Sequence, residues 1–366
     1  MGICVDEPKN HKNNKYLIGL NNIGETCYMN SALQCLWNTK SFSDYFLHQY
    51  KSNLRNNKKN KISNALQEVF YKLWDKSNPK NYPYSPNRFK AVIGEENELF
   101  KGKRANDSKD LINFILQTIH EELNKPKGIV LKNNFIDYNQ LNNEALRKYQ
   151  LTFFLKNEEL YYDSIIHDLF YGIHESQYIC KHCNSIKYNF EFYYFLEFPL
   201  REVNLYFNRG QVKRSNGLYP TVNLYECFEF YQKIDNFFGE NQIFCNRCNT
   251  KRDASFRMIL YSLPNYLIII LNREKGNIYK CEVEMPEILN LEKYVQDKTN
   301  GYMYDLYGCI CHLGPSSESG HFIAYCRHKF NNRWHLYNDS VVKEIRKSED
   351  LFKGTPYILF YQKIIV

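Results

Sequence analysis

The sequence predicts an α+β fold, because its first half has helical periodicity and its second half alternates apolar and polar residues. Of the 366 residues, 43% are hydrophobic and 24% charged, which is a globular balance rather than a disordered one. Aromatic residues make up 16% of the chain, with 31 Tyr and 25 Phe, and such residues favour strands and buried positions. A helical half followed by an antiparallel half is typical of α+β proteins.

Three segments of the first half repeat apolar residues at the spacing of one helix face. They cover residues 29–36, 66–73 and 111–119, and we expect a helix over each. Asp107 or Ser108 is suited to the N-cap of the third helix, since both side chains can accept a hydrogen bond from the first turn.

The second half predicts strands and is interrupted by segments that look like insertions. The predicted strands are Ile186–Leu200, Met258–Leu260, Leu267–Leu271, Tyr302–Ile310, His321–Arg327 and Trp334–Tyr337. The insertion-like segments are 50–62, 126–150 and 207–220, and residues 1–15 predict a flexible tail.

No segment predicts a membrane span or a secretion signal. The longest apolar run, Tyr266–Leu271, has six residues, whereas a span needs about twenty. The N-terminal residues are polar and lack an apolar signal core. We therefore expect a cytoplasmic and/or nuclear protein whose twelve cysteines serve as thiols, metal ligands or a nucleophile rather than as disulfides.

The positive charge of the chain does not point to nucleic acid. The net charge is +8, and five of the positive charges fall in residues 51–62. This segment has no aromatic side chain to stack on a base and no nucleic-acid motif. A solvated loop is the expected structure, and no specific nucleic-acid partner is expected.

Cys27 is a candidate nucleophile. It lies where the Gly-containing loop GLNNIGET enters the first predicted helix. The partial positive charge and free N–H groups of a helix N-terminus stabilise a thiolate, which is the reactive form. The side-chain amide of Asn22 and the free N–H groups could hold an oxyanion. A small buried cysteine is the alternative interpretation.

His321 is a candidate base for this nucleophile. It follows a Gly/Ser-rich loop and begins a predicted strand, while Asn338 and Asp339 end the strand after Trp334. Adjacent strands would place one of these two residues beside His321, where it would fix the imidazole tautomer as in a Cys-His-Asn triad.

Two long motifs resemble those of the ubiquitin-specific proteases. GLNNIGETCYMNSALQCL is similar to the Cys box of that family, and YDLYGCICHLGPSSESGHFIAYCRH with WHLYNDSVV is similar to its His box. NDSKDLINFILQTIHEEL resembles the acidic helix of the family, and SIIHDLFYGIHESQYICKHC, LEFPL and SLPNYLIIILNR resemble its middle segments. The resemblance covers about residues 16–364.

The resemblance implies a papain-like cysteine protease domain over residues 16–366, and it assigns approximate subdomain boundaries. The expected parts are a helical thumb (about 16–160), zinc-ribbon-like β fingers (about 171–262) and a β-rich palm (about 161–170 and 263–366).

The resemblance also implies roles for individual residues. Cys27 would be the nucleophile, His321 the base and Asn338 the residue that orients it, with Asn22 in the oxyanion hole and Asp339 as a supporting charge. Asp107 and Asp110 would bind the arginines of the ubiquitin tail. Gly320, at the end of the mobile loop 314–320, and Phe322 would border the channel for the terminal glycines.

Glu25 departs from the family pattern, which often has Asn at this position. An anion near the nucleophile would oppose the thiolate if it pointed inward.

Two C-x-x-C pairs predict a structural zinc site. Cys180 and Cys183 form one pair, and Cys245 and Cys248 form the other. Four thiolates complete a tetrahedral Zn²⁺ shell, and the alternative is a set of reduced cysteines. The resemblance places this site at the tip of the fingers, far from Cys27. We expect Cys35, Cys227, Cys309 and Cys326 to be core residues.

Together with this resemblance, the sequence implies a monomeric, thiol-dependent deubiquitinase that acts on ubiquitin and ubiquitinated proteins. It would hydrolyse the isopeptide or peptide bond at the C-terminal glycine of ubiquitin through an acyl-enzyme on Cys27. The alternatives are a protease for a ubiquitin-like modifier and a catalytically silent ubiquitin-binding scaffold.

Overall fold

A computed structural model describes most of the chain as two compact units. The described residues are 16–53, 60–78, 80–128, 141–208, 219–274, 278–314 and 320–364. The first unit contains the described residues up to Ile115 together with 308–313 and 321–354, and the second contains the remainder. The predicted tail 1–15, the centres of the three insertion-like segments and residues 315–319 of the predicted mobile loop lie outside the described residues.

The helices lie mainly in the first half of the chain and the strands in the second, as the sequence predicts. The helices are α1 (Cys27–Asn38), α2 (Lys40–His48), α3 (Tyr50–Asn53), α4 (Lys61–Leu73), α5 (Asn87–Glu96), α6 (Ser108–Leu123), α7 (Asn143–Tyr161), α8 (Ile165–Phe170), α9 (Leu200–Asn208) and α10 (Leu224–Tyr231). The strands are β1 (Gly172–Cys180), β2 (Ile186–Tyr193), β3 (Leu196–Pro199), β4 (Thr221–Asn223), β5 (Asp235–Phe237), β6 (Ile243–Cys245), β7 (Thr250–Arg252), β8 (Ala254–Ser262), β9 (Tyr266–Asn272), β10 (Glu282–Glu284), β11 (Ile288–Asn290), β12 (Met303–Leu313), β13 (His321–Arg327), β14 (Trp334–Asn338), β15 (Val341–Glu344) and β16 (Thr355–Lys363).

The first unit is built around α1, whose twelve residues are all buried. Its neighbours include β13, which belongs to an antiparallel run with the second half of β12, β14 and β15. The register pairs Leu313 with His321 and Ala324 with Tyr337. A buried helix cannot shift without losing apolar contacts, so α1 fixes the position of its first residue, Cys27.

The second unit contains an antiparallel sheet with the strand order β2-β1-β8-β5. α7 covers part of this sheet, where Leu146, Leu151 and Phe154 pack on a cluster that includes Tyr188 and Phe190. In the same unit β9 pairs antiparallel with β16 and parallel with β3. Six of the seven residues of β9 are buried, which explains why its sequence is an uninterrupted apolar run.

Several sequence-based element predictions were wrong in detail. The predicted strand over 186–200 is divided into β2 and β3, and its last residue, Leu200, begins α9. The predicted insertion 126–150 contains the start of α7, and the ends of the other two insertions belong to α3, α4 and α9. The prediction of an N-cap at Asp107 or Ser108 was correct, since Asp107 precedes α6 and accepts a hydrogen bond from the Lys109 N–H at 2.8 Å.

Two other expectations agree with the described residues. Cys35, Cys227, Cys309 and Cys326 are fully buried, as expected for core cysteines. No helix in the described part of the chain has the length and hydropathy needed to cross a membrane.

Candidate active site

Cys27 is the first residue of α1 and is 7% exposed. The loop before it is ordered by its own side chains, because Asn22 Oδ1 accepts hydrogen bonds from the Gly24 and Thr26 N–H groups, both at 3.1 Å. The Thr26 hydroxyl accepts a further bond from Ile23 N at 3.0 Å. The loop therefore enters the helix in a fixed conformation, with Cys27 at the positive end of the helix dipole.

His321 begins β13, and Asn338 ends β14. The Nε2 atom of His321 lies 2.7 Å from Oδ1 of Asn338. An amide oxygen can only accept a hydrogen bond, so Nε2 carries a hydrogen and donates it to Asn338. Nδ1 is therefore the ring nitrogen that is left to interact with Cys27. The structure brings together the Cys, His and Asn that the sequence singled out, all within the first unit.

The pKa of His321 is raised to about 9. The largest cause is its hydrogen bond with the Cys27 sulfur, burial opposes the shift, and Asn338 and the charges of Cys27 and Asp339 raise the pKa further. A histidine that hydrogen-bonds a cysteine can accept its proton, which generates the nucleophilic thiolate.

Asp339 supports this arrangement through three hydrogen bonds that it accepts from neighbouring segments. Its Oδ2 accepts a hydrogen bond from Asn22 Nδ2 at 3.0 Å, and its Oδ1 accepts one from Asn30 Nδ2 at 2.8 Å. Its backbone oxygen accepts a third from Leu20 N at 2.9 Å. Asp339 thus joins the end of β14 to the loop before Cys27 and to α1, in addition to the supporting role that the resemblance implies for it.

Asn22, the predicted oxyanion-hole residue, is exposed and has its amide oxygen engaged within the loop. One hydrogen of its NH₂ group is directed to Asp339. The second hydrogen of that group can still be donated to an oxyanion. The carboxylate of Asp339 therefore orients the donor that the sequence predicted.

Gly19 and Asn30 also shape the site, and the sequence analysis missed both. A Cβ atom on Gly19 would lie 2.3 Å from the backbone oxygen of Ser340, so only glycine allows this close approach beside Asp339. Asn30 is buried on α1 and binds Asp339 together with the backbone oxygen of Leu20. Both residues belong to the Cys-box motif, which was the available signal.

Glu25 adopts a left-handed conformation with φ of 49°. Its Oε2 accepts a hydrogen bond from the Ala105 N–H at 2.9 Å, and the side chain is exposed. The carboxylate therefore anchors the loop before α6. Asn tolerates left-handed backbone better than Glu does, so this contact helps to explain why Glu is accommodated here.

The four predicted substrate-binding residues occupy different environments. Asp107 caps α6, and Asp110 lies partly exposed in the first turn of that helix. Gly320 is exposed, whereas Phe322 is half-buried and packs edge-on against His312 with ring centroids 4.9 Å apart. Their contacts with a substrate remain a prediction.

The four cysteines of the two C-x-x-C pairs form one cluster in the second unit. Their sulfur atoms all lie within 4.8 Å of one another, with Cys183 and Cys245 at 3.6 Å and Cys180 and Cys248 at 4.0 Å. Sulfur ligands on tetrahedral zinc are separated by about 3.8 Å, since each Zn–S bond is about 2.3 Å long. The donor set and its spacing therefore fit a structural zinc ion.

Two neighbouring side chains contact this cluster. The Ser185 hydroxyl lies 3.1 Å from the Cys183 sulfur and 3.4 Å from that of Cys245. His182 Nδ1 lies 3.5 Å from the Cys248 sulfur. Such contacts orient thiolate ligands from outside the metal shell.

Comparisons with known proteins agree with the geometry. The profile of the family described as "Ubiquitin carboxyl-terminal hydrolase" matches residues 18–361. Ubiquitin carboxyl-terminal hydrolase 2 of Bos taurus is 30% identical over 96% of this chain, and Usp2 of Drosophila melanogaster is 26% identical over 95%. The chain spans 56% of the Bos taurus protein and 35% of the Drosophila protein, so it matches only part of these relatives.

A likeness to solved structures supports the fold. The chain matches one chain of the SAGA Ubp8/Sgf11/Sus1/Sgf73 DUB module bound to ubiquitin aldehyde, with a TM-score of 0.69 and 24% identity. The match covers 96% of this chain and 70% of that one. The same module bound to monoubiquitin matches with a TM-score of 0.70. The predicted fold class is confirmed, and the chain belongs to the ubiquitin carboxyl-terminal hydrolase family.

Proposed function

We propose that this chain is a cysteine-type deubiquitinase that hydrolyses the bond between the C-terminal glycine of ubiquitin and an amine of another protein. The observation that carries the proposal is the placement of His321 between Cys27 and Asn338 in a member of this family. The module that shares its fold is bound to ubiquitin in two solved structures.

The first half of the proposed reaction forms an acyl-enzyme. The Cys27 thiolate attacks the carbonyl carbon of the terminal glycine, and the carbonyl oxygen becomes an oxyanion held by Asn22 and the start of α1. The imidazolium of His321 then gives its proton to the leaving amine. The C–N bond breaks, the amine product departs, and ubiquitin remains as a thioester on Cys27.

The second half releases ubiquitin. His321, now neutral, accepts a proton from a water molecule that attacks the thioester carbonyl. The C–S bond breaks, the sulfur leaves as a thiolate, and the imidazolium is restored. Asn338 keeps the ring in place throughout, because its amide oxygen continues to accept the Nε2 hydrogen.

Acidic residues near the site are proposed to recognise the basic tail of the substrate. Asp107 and Asp110 would accept hydrogen bonds from the arginines of the ubiquitin tail, in addition to their favourable position at the N-terminus of α6. Gly320 and Phe322 would border the narrow channel that admits the terminal glycines. We also propose the thumb, palm and finger boundaries given above, a monomeric state and a cytoplasmic or nuclear location.

We also propose that Cys180, Cys183, Cys245 and Cys248 hold one structural Zn²⁺. A zinc ion bound by four thiolates has no open coordination position and serves to stabilise its surroundings. The chain's own contribution is to present the four sulfur atoms at tetrahedral spacing and to support two of them with Ser185.

Turnover of ubiquitin carrying a fluorogenic amide at its C-terminus tests the proposed function. We expect wild-type protein to release the fluorophore, and we expect Cys27→Ser and His321→Ala to lower kcat/KM by at least about 10³-fold, because each removes a reacting group. His48→Ala, which changes an exposed histidine on α2, is the matched control and should retain activity.

The alternatives give different outcomes. Ubiquitin binding without release by wild type would indicate a silent scaffold. Release only from an amide of a ubiquitin-like modifier would assign a different substrate. Either result would contradict the proposal.

A further inference from the structure

The second unit contains a cavity of about 310 Å³ that the proposed reaction does not use. It is lined by the first turns of α7, by the adjoining ends of β1 and β2, and by the hairpin formed by β6 and β7. The predicted catalytic residues belong to the first unit, so the cavity is a separate feature. Its volume is at the lower end of the range for ligand pockets and suits one or two large side chains.

Four elements contribute apolar side chains to the lining of the cavity. Leu146 of α7, Ile186 of β2, Tyr178 of β1 and Phe244 of β6 line it. Phe244 is 54% exposed although it is a large apolar side chain. An exposed aromatic residue at the edge of an apolar cavity is typical of a protein-binding site.

The charged residues of the cavity are all positive. Lys187, Arg247 and Arg252 line it, and the described lining residues include no Asp or Glu. None of the three cations forms an ion pair with another residue in the described part of the chain. The N-terminus of α7 at Asn143 adds further positive potential, so the cavity is complementary to carboxylates.

Two polar atoms at the cavity lack partners. The Nε–H of Arg252 and the Oε1 of Gln150 are buried, and neither has a hydrogen-bond partner among the described residues. A buried polar group without a partner is destabilising, so both atoms favour a partner that supplies one. One atom needs an acceptor and the other a donor. A peptide group supplies an acceptor and a donor. Because the side chains of Arg252 and Gln150 line the cavity, small rotations would bring these atoms to its surface.

We propose that this cavity binds a peptide segment of a partner protein in which a large apolar side chain is flanked by carboxylates. The backbone carbonyl of the segment would accept from Arg252, and a backbone N–H would donate to Gln150. The apolar side chain would lie against Leu146 and Phe244, and the carboxylates would face Arg247 and Lys187. The site extends beyond the proposed hydrolysis, since no step of that reaction involves it.

Another explanation for the cations is that they offset the negative charge of a zinc ion bound by four thiolates. Cys180 and Cys245 form part of the cavity wall, so this explanation is specific to the same residues. It predicts that removing a cation lowers zinc affinity and that the cavity binds no acidic peptide. The two explanations therefore differ in a measurable way.

Fluorescence anisotropy with the full, zinc-loaded chain tests the proposal. The probe is a labelled peptide of sequence Asp-Glu-Leu-Phe-Asp-Glu, and its control is Asn-Gln-Leu-Phe-Asn-Gln, which has the same shape and no charge. We expect saturable binding of the acidic peptide that weakens at least about tenfold when the carboxylates become amides and that falls as salt is raised.

Variants of the chain locate the binding. Arg252→Gln should weaken binding of the acidic peptide at least about tenfold, because it removes a charged hydrogen-bond donor from the cavity. Lys251→Gln changes an exposed cation on the same strand that does not line the cavity, and it should leave binding unchanged. Phe244→Ala removes an exposed ring that the core does not need and should also weaken binding.

Four results would overturn the proposal. One is equal binding of the acidic peptide and its amide control. Another is an equal effect of Arg252→Gln and Lys251→Gln. The third is displacement of the peptide by free ubiquitin, because the cavity would then belong to the ubiquitin-binding surface. No binding of either peptide, together with zinc loss from Arg252→Gln, would assign the cations to the metal and would equally overturn it.

Discussion

His321 is held by two contacts that have different consequences. The Asn338 oxygen fixes the ring from the Nε2 side, and the Cys27 sulfur provides the largest contribution to its raised pKa. Asn338 is neutral and cannot stabilise the imidazolium as an aspartate would. Asn338 therefore orients the ring, whereas the charge contributions to the raised pKa of His321 come from Cys27 and Asp339.

This arrangement predicts how the titration of His321 responds to the nucleophile. In wild-type protein the pKa of His321 should lie near 9, and in Cys27→Ala it should fall toward its ordinary value of 6.5, because the largest raising contribution is gone while burial, Asn338 and Asp339 remain. The chemical shift of the His321 ring, followed by NMR as a function of pH, measures both values. An unchanged pKa in Cys27→Ala would show that another group holds the proton.

The raised pKa of His321 determines how the stability and the activity of the protein change with pH. A histidine pKa raised in the folded state adds stability that is complete below pH 6.5 and is lost as pH rises through about 9. Activity should decline over the same upper range, since the imidazolium that protonates the leaving amine disappears.

Individual residues also show what the sequence could and could not reveal. Cys27, His321 and Asn338 were predictable because their types, order and local patterns are unusual for core residues. The bonds from Asp339 to Asn22 and Asn30 were not predictable, because they depend on the distance between segments more than 300 residues apart in the chain. The contact between Glu25 and Ala105 was hidden for the same reason.

At the scale of single elements, α7 illustrates why a helix was missed. It is a 19-residue helix with no fully buried residue, and its first turns fall in an Asn-rich segment with weak periodicity. Tertiary contacts help to stabilise it, including a bidentate bond from Arg147 to Glu175 with an Nη2–Oε2 distance of 2.6 Å. The Glu175 side chain is fully buried, so it depends on this partner. Such a pairing leaves no trace in local sequence.

The two cysteine hairpins were predictable because the chemistry of their ligands fixes their spacing. β1 with β2 and β6 with β7 each carry one C-x-x-C pair in or near the turn. Asn184 and Asn249 follow the pairs in left-handed conformations, with φ of 56° and 51°, which asparagine tolerates well. Short β6 and β7, three residues each, have little packing of their own.

Zinc removal should therefore destabilise these hairpins. We expect about one zinc per chain by atomic emission spectroscopy, and we expect Cys183→Ser to lose it and to lower the melting temperature, since a structural metal contributes directly to folding. Cys227→Ala is the matched control, because it removes a buried cysteine outside the cluster and should keep the metal. Zinc-free wild-type protein whose melting temperature is unaffected by a chelator would contradict the zinc proposal.

At the scale of the whole molecule, the first unit is assembled from segments that are far apart in the chain. Its residues come from the segment up to Ile115 and from the segments 308–313 and 321–354, and most of the second unit lies between them in sequence. Cys27 and His321 can therefore be far apart in the chain and still share one unit. The resemblance of the two end motifs to one family was enough to predict this association, whereas periodicity alone predicted only the α+β class.

The central claim is that Cys27 alone among the cysteines attacks the C-terminal carbonyl of ubiquitin. The most direct measurement is covalent capture with ubiquitin that carries an electrophile in place of its terminal carboxylate, followed by intact mass and peptide mapping. The account predicts one ubiquitin adduct per chain on Cys27, none on the other eleven of the twelve cysteines, and none in folded Cys27→Ala. An adduct on a different cysteine, or no adduct on folded wild-type protein, would contradict it.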